Sequence, residues 1–224
     1  MDYPETIIKR GSTGEAVKEI QERLGVQQTG VFGPTTESCV SAFQKAFGLE
    51  VDGEVGPITW AALFATQPSQ DLGVASLMEA QRRVGVKERP LGSNKGPEVD
   101  EYLKRAGVPS PNPWCMAFVY YCVDEAAKKL GKPNPLTKTA FCPTLYNWAK
   151  EHGRLVSKPE IGDIFLCIGT PQGHYHTGFV NGPVTNNHFS TVEGNSNYDG
   201  SANGTEVAMR KPGRLITSCH YVRL

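Results

Sequence analysis

Pro111-Asn112-Pro113-Trp114-Cys115-Met116-Ala117-Phe118-Val119-Tyr120-Tyr121-Cys122-Val123-Asp124-Glu125-Ala126-Ala127-Lys128-Lys129-Leu130-Gly131 carries more structural information than any other stretch of the chain. Prolines precede Trp114, an apolar run of helical length follows, lysines gather at its C-terminal end and Gly131 stops it, so the spacing predicts a helix that begins near Cys115. A thiol in the first turn faces the positive end of the helix dipole and N–H groups without helical partners. That setting favours the thiolate, the form that attacks a carbonyl carbon. The same N–H groups can hold an oxyanion. By position alone Cys115 reads equally well as a small buried hydrophobe, so its company decides.

Downstream, residues 159–169 read as a turn into a buried strand, His176-Thr177-Gly178-Phe179-Val180 as a second strand and Thr191-Val192-Glu193-Gly194-Asn195 as a third. Successive hairpin-like strands lie side by side, which lets an early residue of the second meet the end of the third. Glu193 and Asn195, two apart, are expected on one strand face. Upstream, helices are expected over residues 75–84 and 98–105, separated by the loop Gly92-Ser93-Asn94-Lys95-Gly96-Pro97. Helices first and antiparallel strands after them give an α+β class.

Near the N-terminus a different pattern rules. Residues 12–25 read as an amphipathic helix with Ser12 or Thr13 at its N-cap, Val17, Ile20 and Leu24 on one face and Gly25 as its stop. Thr29-Gly30-Val31-Phe32-Gly33-Pro34-Thr35-Thr36 then forms a turn closed by a Thr N-cap, ahead of a helix with Val40, Phe43, Ala46 and Phe47 inward and Gly48 as its end. The same punctuation returns as Asp52-Gly53-Glu54-Val55-Gly56-Pro57-Ile58-Thr59 before Trp60-Ala61-Ala62-Leu63. This internal repeat organises a small three-helix module over residues 1–64. Residues 65–71, small and polar with one proline, read as a linker, and residues 72–224 as the second domain.

Composition narrows the function. With 224 residues, 39% of them hydrophobic and 21% charged, the chain can bury a real core. No stretch approaches the run of about 18 apolar residues of a membrane span. The first residues lack the basic start and apolar run of a secretory signal, so export by another route is expected. Net charge is zero, against a nucleic-acid binder that relies on phosphate attraction, although residues 1–64 carry five basic and nine acidic residues and the remainder 18 and 14. Six cysteines, at 39, 115, 122, 142, 167 and 219, form no CxxC pair. Cys122 reads as core, Cys142 as part of a Pro-terminated turn and Cys167 as a buried strand residue.

Two resemblances add to these readings. Residues 7–64, through Gly11-Ser12-Thr13-Gly14, Ile20-Gln21-x-x-Leu24, Phe43-Gln44 and Asp52-Gly53-x-x-Gly56-x-x-Thr59-Trp60, resemble the peptidoglycan-binding module of bacterial and phage cell-wall enzymes. Phe32 is the candidate sugar-facing aromatic there, with Trp60 equally readable as core. Residues 88–220 resemble the CHAP family of cysteine, histidine-dependent amidohydrolases/peptidases. That likeness rests on Gly92-Ser93-Asn94, Pro113-Trp114-Cys115-x-Ala117-Phe118-Val119, Gly162-Asp163-Ile164, His176-x-Gly178-Phe179-Val180 and Glu193-Gly194-Asn195, with His176 61 residues after Cys115. It implies a papain-like α+β domain whose N-terminal helices pack on an antiparallel sheet. In it Cys115 is the nucleophile, His176 the base, Glu193 the group that orients the imidazole and Asn195 a fourth polar member. His174, two residues earlier, competes with His176, but the family pattern puts the histidine directly before x-Gly-h-Val.

Where many relatives carry Gln before the cysteine this chain has Trp114, taken with Asn94 as substrate-side, while Asn94 or Asn112 is left as the side-chain oxyanion donor. No Asp-x-Asp calcium loop precedes Cys115, so neither metal nor cofactor is expected. The implied function is a phage endolysin-like peptidoglycan hydrolase, amidase or endopeptidase, working as a monomer on the cell wall after holin-type release or delivery by a secretion system. The alternatives are a non-catalytic wall-binding protein and a small-amide hydrolase of the glutathionylspermidine amidase type.

Overall fold

The computed structural model describes residues 3–46, 49–64, 71–168, 175–182, 184, 186–197 and 204–224. They fall into two compact units, residues 1–67 and 68–224. In the first unit α1 (Glu15–Arg23), α2 (Pro34–Ala46) and α3 (Pro57–Phe64) enclose Ile8, Val17, Ile20, Phe32, Val40, Val55, Trp60 and Leu63.

The repeat has a physical cause that the turn residues only hint at: a buried glutamine at the heart of each copy. Gln21 Nε2 donates to Thr29 Oγ1, to the Val31 carbonyl and to Thr36 Oγ1, and its Oε1 accepts from Gly30 N. Gln44 makes the same set to Asp52 Oδ1, the Glu54 carbonyl, Thr59 Oγ1 and Gly53 N. The sequence offsets of 8, 10, 15 and 9 residues are identical in the two sets. Each amide satisfies a turn and the first turn of the next helix at once, which is how a small unit secures polar groups it must bury. Gly30 and Gly53 sit at φ 70° and 72°, the left-handed region that makes glycine the fitting residue at this point of each copy.

Three expected caps are corrected. Gly14, not Ser12 or Thr13, is the N-cap of α1, and the Ser12 hydroxyl instead accepts from Lys9 N. The α2 and α3 helices begin at their prolines, so Thr36 and Thr59 lie inside them and receive the glutamine amides. The expected helix end at Phe47 and Gly48 lies outside the described residues.

Most of the expected linker, 65–70, also lies outside the described residues. Asp71 belongs to the fold of the second unit, because its Oδ1 accepts from Val74 N at 2.8 Å and caps α4 (Leu72–Gln81). The helices α5 (Pro97–Arg105) and α6 (Cys115–Lys129) follow, and then α7 (Cys142–Glu151). The α7 helix corrects the reading of Pro143 as a terminator: it occupies the first turn, where its missing N–H costs nothing, and so opens a helix. The strands are β1 (Leu155–Val156), β2 (Ile164–Cys167), β3 (His176–Val180), β4 (His188–Ser196), β5 (Glu206–Leu215) and β6 (His220–Val222).

All six form one antiparallel sheet in the order β1-β6-β2-β3-β4-β5, so the unit is α+β and the three expected strands are neighbours. The α6 helix packs on α4 and α5 and also against β3 and β4. Its apolar run, Met116 to Val119 with Cys122 and Val123, is accordingly buried all round. Two glycines let these elements approach. A Cβ on Gly194 would fall 2.6 Å from Phe118 Cβ of α6, and one on Gly178 would fall 2.6 Å from the Val192 carbonyl and 3.1 Å from Glu193 Cγ. In the Gly162-Asp163 pair, buried Asp163 receives Arg223 on both oxygens and Glu160 N on one, tying the entry of β2 to the chain just past β6.

Candidate active site

The close approach of α6 to β3 and β4 brings Cys115, His176 and Glu193 together. Cys115 is the first residue of α6; its N-cap, Trp114, supplies no side-chain cap, and the first helical bond is Phe118 N to the Trp114 carbonyl. The leading N–H groups therefore remain available at the sulfur. His176 opens β3, paired in register with Cys167, and its ring lies against Phe165. His176 Nε2 meets Glu193 Oε2 at 2.9 Å. The second ring nitrogen, Nδ1, has no hydrogen-bond partner among the described residues and is the atom left to serve the Cys115 sulfur.

Glu193 is wholly buried yet fully engaged. Arg214 donates to both of its oxygens, Nε to Oε1 at 2.8 Å and Nη2 to Oε2 at 2.7 Å. Thr191 Oγ1 donates to Oε1 at 2.6 Å and Ser196 Oγ to Oε2 at 2.9 Å, while Arg210 Nη1 stands 3.6 Å from Oε1. Burial alone would raise this carboxyl, but His176 and Arg214 outweigh it and hold the group ionised, well below the usual carboxylate range. For His176, burial opposes the charged form, and Cys115 with Glu193 overcomes it, pushing the imidazole up to about 9.

Cys115 is held well below the usual thiol range, first by the Cys142 thiol, then against its own burial by His176 and by the Met116 N–H. Cys142 Sγ lies 3.9 Å from Cys115 Sγ, and its own pKa is raised by the neighbouring Cys115 and by burial, so it stays a neutral donor. Two helix N-termini, of α6 and α7, thus converge on one sulfur. A second pair of sulfurs, Cys167 and Cys219, lies 2.7 Å apart beside Arg214. A thiolate, an imidazolium and a clamped carboxylate in series are equipped for nucleophilic acyl transfer.

The remaining expectations fare differently. The alternation that should align Asn195 with Glu193 is broken by a register shift between Glu193 and Ser196; Asn195 takes φ 54°, and Ser196 is the residue that reaches the carboxylate. Trp114 is not substrate-side. It is wholly buried against Tyr102 and Phe118, with Nε1 donating to Glu88 Oε1 at 2.8 Å. Phe32 is likewise core, because the small module needs its large side chains to fill its interior.

Asn94 is half-buried at φ 52°, and its N–H donates to the other oxygen of Glu88 at 3.1 Å. Asn112 spends its amide on the Pro109 carbonyl. His174 lies outside the described residues. Sequence reasoning missed Arg214, Ser196, Cys142 and Glu88; it could have found Thr191, which lies two residues before Glu193 on its strand face. Among the described residues no cluster of His, Cys, Asp or Glu is arranged to hold a metal ion, and no helix is long and apolar enough to cross a membrane.

Residues 13–63 match the family "Putative peptidoglycan binding domain", and residues 107–195 match the family "CHAP domain". No curated protein matches the chain. Among solved structures, the SleB N-terminal domain is 38% identical, covering 28% of this chain and 93% of that one at a TM-score of 0.27. A Burkholderia AP3 phage endolysin is 22% identical over 56% of this chain and 63% of that chain, also at a TM-score of 0.27. The two matches follow one another along the chain, a peptidoglycan-binding family first and the CHAP family after it.

Proposed function

We propose that the protein cleaves an amide bond of peptidoglycan by a thiol acyl-enzyme route, with Cys115 as nucleophile, His176 as proton carrier and Glu193 as the anion that keeps the imidazole charged and oriented. The observation that supports this reading is the buried His176 imidazole, bonded through Nε2 to Glu193 Oε2 at 2.9 Å and raised by the neighbouring Cys115, with its Nδ1 left without a partner among the described residues. The thiolate adds to the carbonyl carbon, and the N–H groups leading α6 hold the oxyanion. The imidazolium protonates the leaving amine and a thioester remains. His176, now neutral, takes a proton from water as the water attacks, and collapse of the intermediate breaks the C–S bond, releases the acid and restores the thiolate and imidazolium pair.

Asn195 enters this scheme by shaping the bulge that sets Ser196 on Glu193, not by touching substrate. Asn94 stays a substrate-side candidate, tied through Glu88 to the residue that precedes the nucleophile. The first unit would hold the enzyme on its polymer, and such tethering raises the effective concentration of bonds without altering the site. Residues 1–64, 65–70 and 71–224 then act as binding module, linker and catalytic domain of a monomer that works at the cell wall.

Mass spectrometry of purified peptidoglycan digested by the wild type and by Cys115→Ala tests the reading. Fragments released only by the wild type support it, and their new termini name the bond. Absence of release from several wall types, or equal release by Cys115→Ala, overturns it.

A further inference from the structure

Eight large apolar side chains are exposed among the described residues, and two of these are aromatic: Phe141, 56% exposed, and Tyr175, 42% exposed. These two meet each other edge to face, with ring centroids 5.7 Å apart. Each immediately precedes a residue of the active site, Phe141 before Cys142 and Tyr175 before His176. At both places the backbone turns one side chain in and its neighbour out: Cys142 and His176 are buried, whereas Phe141 and Tyr175 stand in solvent. The aromatic pair therefore forms a ledge on the solvent side of the same rim whose inner side holds the imidazole and the sulfur pair.

We propose that this ledge is a sugar subsite that takes the apolar face of an N-acetylated pyranose ring. The other Phe and Trp side chains described in this unit are buried, so two paired rings left in water beside the sulfur call for an occupant. A pyranose presents a flat face of C–H bonds that aromatic rings cover well, whereas the small aliphatic and charged side chains of a stem peptide offer no such face. The inference rests on the hydrolase reading above and deepens it. A sugar held one residue from the reactive groups sets the lactyl amide, the bond nearest the glycan, against Cys115, and so selects amidase over endopeptidase.

The test is site-specific protection of Cys115 in the full-length protein. Alkylation of Cys115 by iodoacetamide, followed by mass spectrometry of its peptide, is measured against increasing GlcNAc-MurNAc disaccharide without peptide, a ligand with no bond to cleave. The disaccharide should slow alkylation of the wild type, and Phe141→Ala/Tyr175→Ala should require about tenfold more of it. The double variant should alkylate at the wild-type rate without sugar, which shows that its site is intact; Phe141→Tyr should keep the protection. No protection of the wild type, or equal protection of the double variant, overturns the sugar subsite. Protection by free stem peptide that the double variant loses also overturns it, in favour of a peptide subsite. Protection that behaves as expected in a protein that releases nothing from peptidoglycan would retain the sugar subsite and reject the hydrolase reading.

Discussion

The guanidinium of Arg214 grips both oxygens of Glu193, Nε on Oε1 and Nη2 on Oε2, so the carboxylate that faces His176 is also one half of a buried two-point ion pair. That pairing sets how much negative charge the imidazole feels. Arg214→Met removes a positive charge beside Glu193, so the imidazolium should gain and the alkaline limb of the pH–rate profile should move up. Because the variant leaves a buried carboxylate less well paired, it should also lose about 3–5 kcal/mol of stability in a denaturant titration. Arg214→Lys should restore much of the pH profile and less of the stability, since an ammonium is a point donor that cannot form the paired bonds.

The ionisation states give a pH profile with a definite sign. The reactive form pairs a Cys115 thiolate, present above a pKa well below the usual thiol range, with a His176 imidazolium that lasts until about pH 9. The kcat/KM on a soluble muropeptide should therefore plateau across neutral pH and fall as pH rises through about 9, where the leaving amine loses its proton donor. An alkaline limb below neutrality would contradict this assignment.

Cys142 supplies the largest single influence on the reactive thiol. Cys142→Ala removes that donor, so the Cys115 thiolate should form at higher pH, read as an upward shift in the midpoint of iodoacetamide alkylation. Activity should fall most at the acid end of the profile and least above neutrality. Cys142→Ser, which keeps a donor, should lie between the two.

Gly194 permits the contact on which the site depends. Gly194→Ala would drive a Cβ to within 2.6 Å of Phe118 Cβ, so α6 must shift from β4. The expected result is a stability loss of about 1–3 kcal/mol by thermal or chemical unfolding, with a fall in kcat because Cys115 and Glu193 ride on the two displaced elements.

Gln44 is the amide hub of the second repeat. Gln44→Leu should leave Gly53 N and Thr59 without their partner and loosen residues 1–64, detected as faster amide hydrogen exchange there. Cleavage of a small soluble muropeptide should be unaffected, and lysis of whole walls reduced.

Legibility in the sequence followed the range of the forces involved. Cys115 at a helix start, His176 at a strand start and Glu193 on the next strand could be read because helix punctuation, strand periodicity and hairpin adjacency are all local. The repeat was visible, but the role of Gln21 and Gln44 was not, since turn signals mark where the chain bends and say nothing about which side chain fills the bend. Arg214 was hidden for another reason: the pairing of β4 with β5 carries two register shifts, and each extra residue changes which side chains share a face. The same shift exchanged Asn195 for Ser196. Trp114 and Phe32 were misread because an aromatic residue suits a sugar groove and a core equally, and only burial separates them.

The sequence by itself determined the α+β class, the helical module ahead of it and where Cys115, His176 and Glu193 fall on helix and strand, because those follow from hydrophobic period, caps and spacing along one chain; the roles proposed for the trio come from the resemblance to the CHAP family. Only the tertiary structure decided what surrounds the trio: the Arg214 clamp, the Cys142 thiol from a second helix N-terminus and the exposed pair of Phe141 and Tyr175. These are contacts between segments far apart in the chain, set by how helices and sheet pack, and packing at that range leaves no periodic trace in the order of residues.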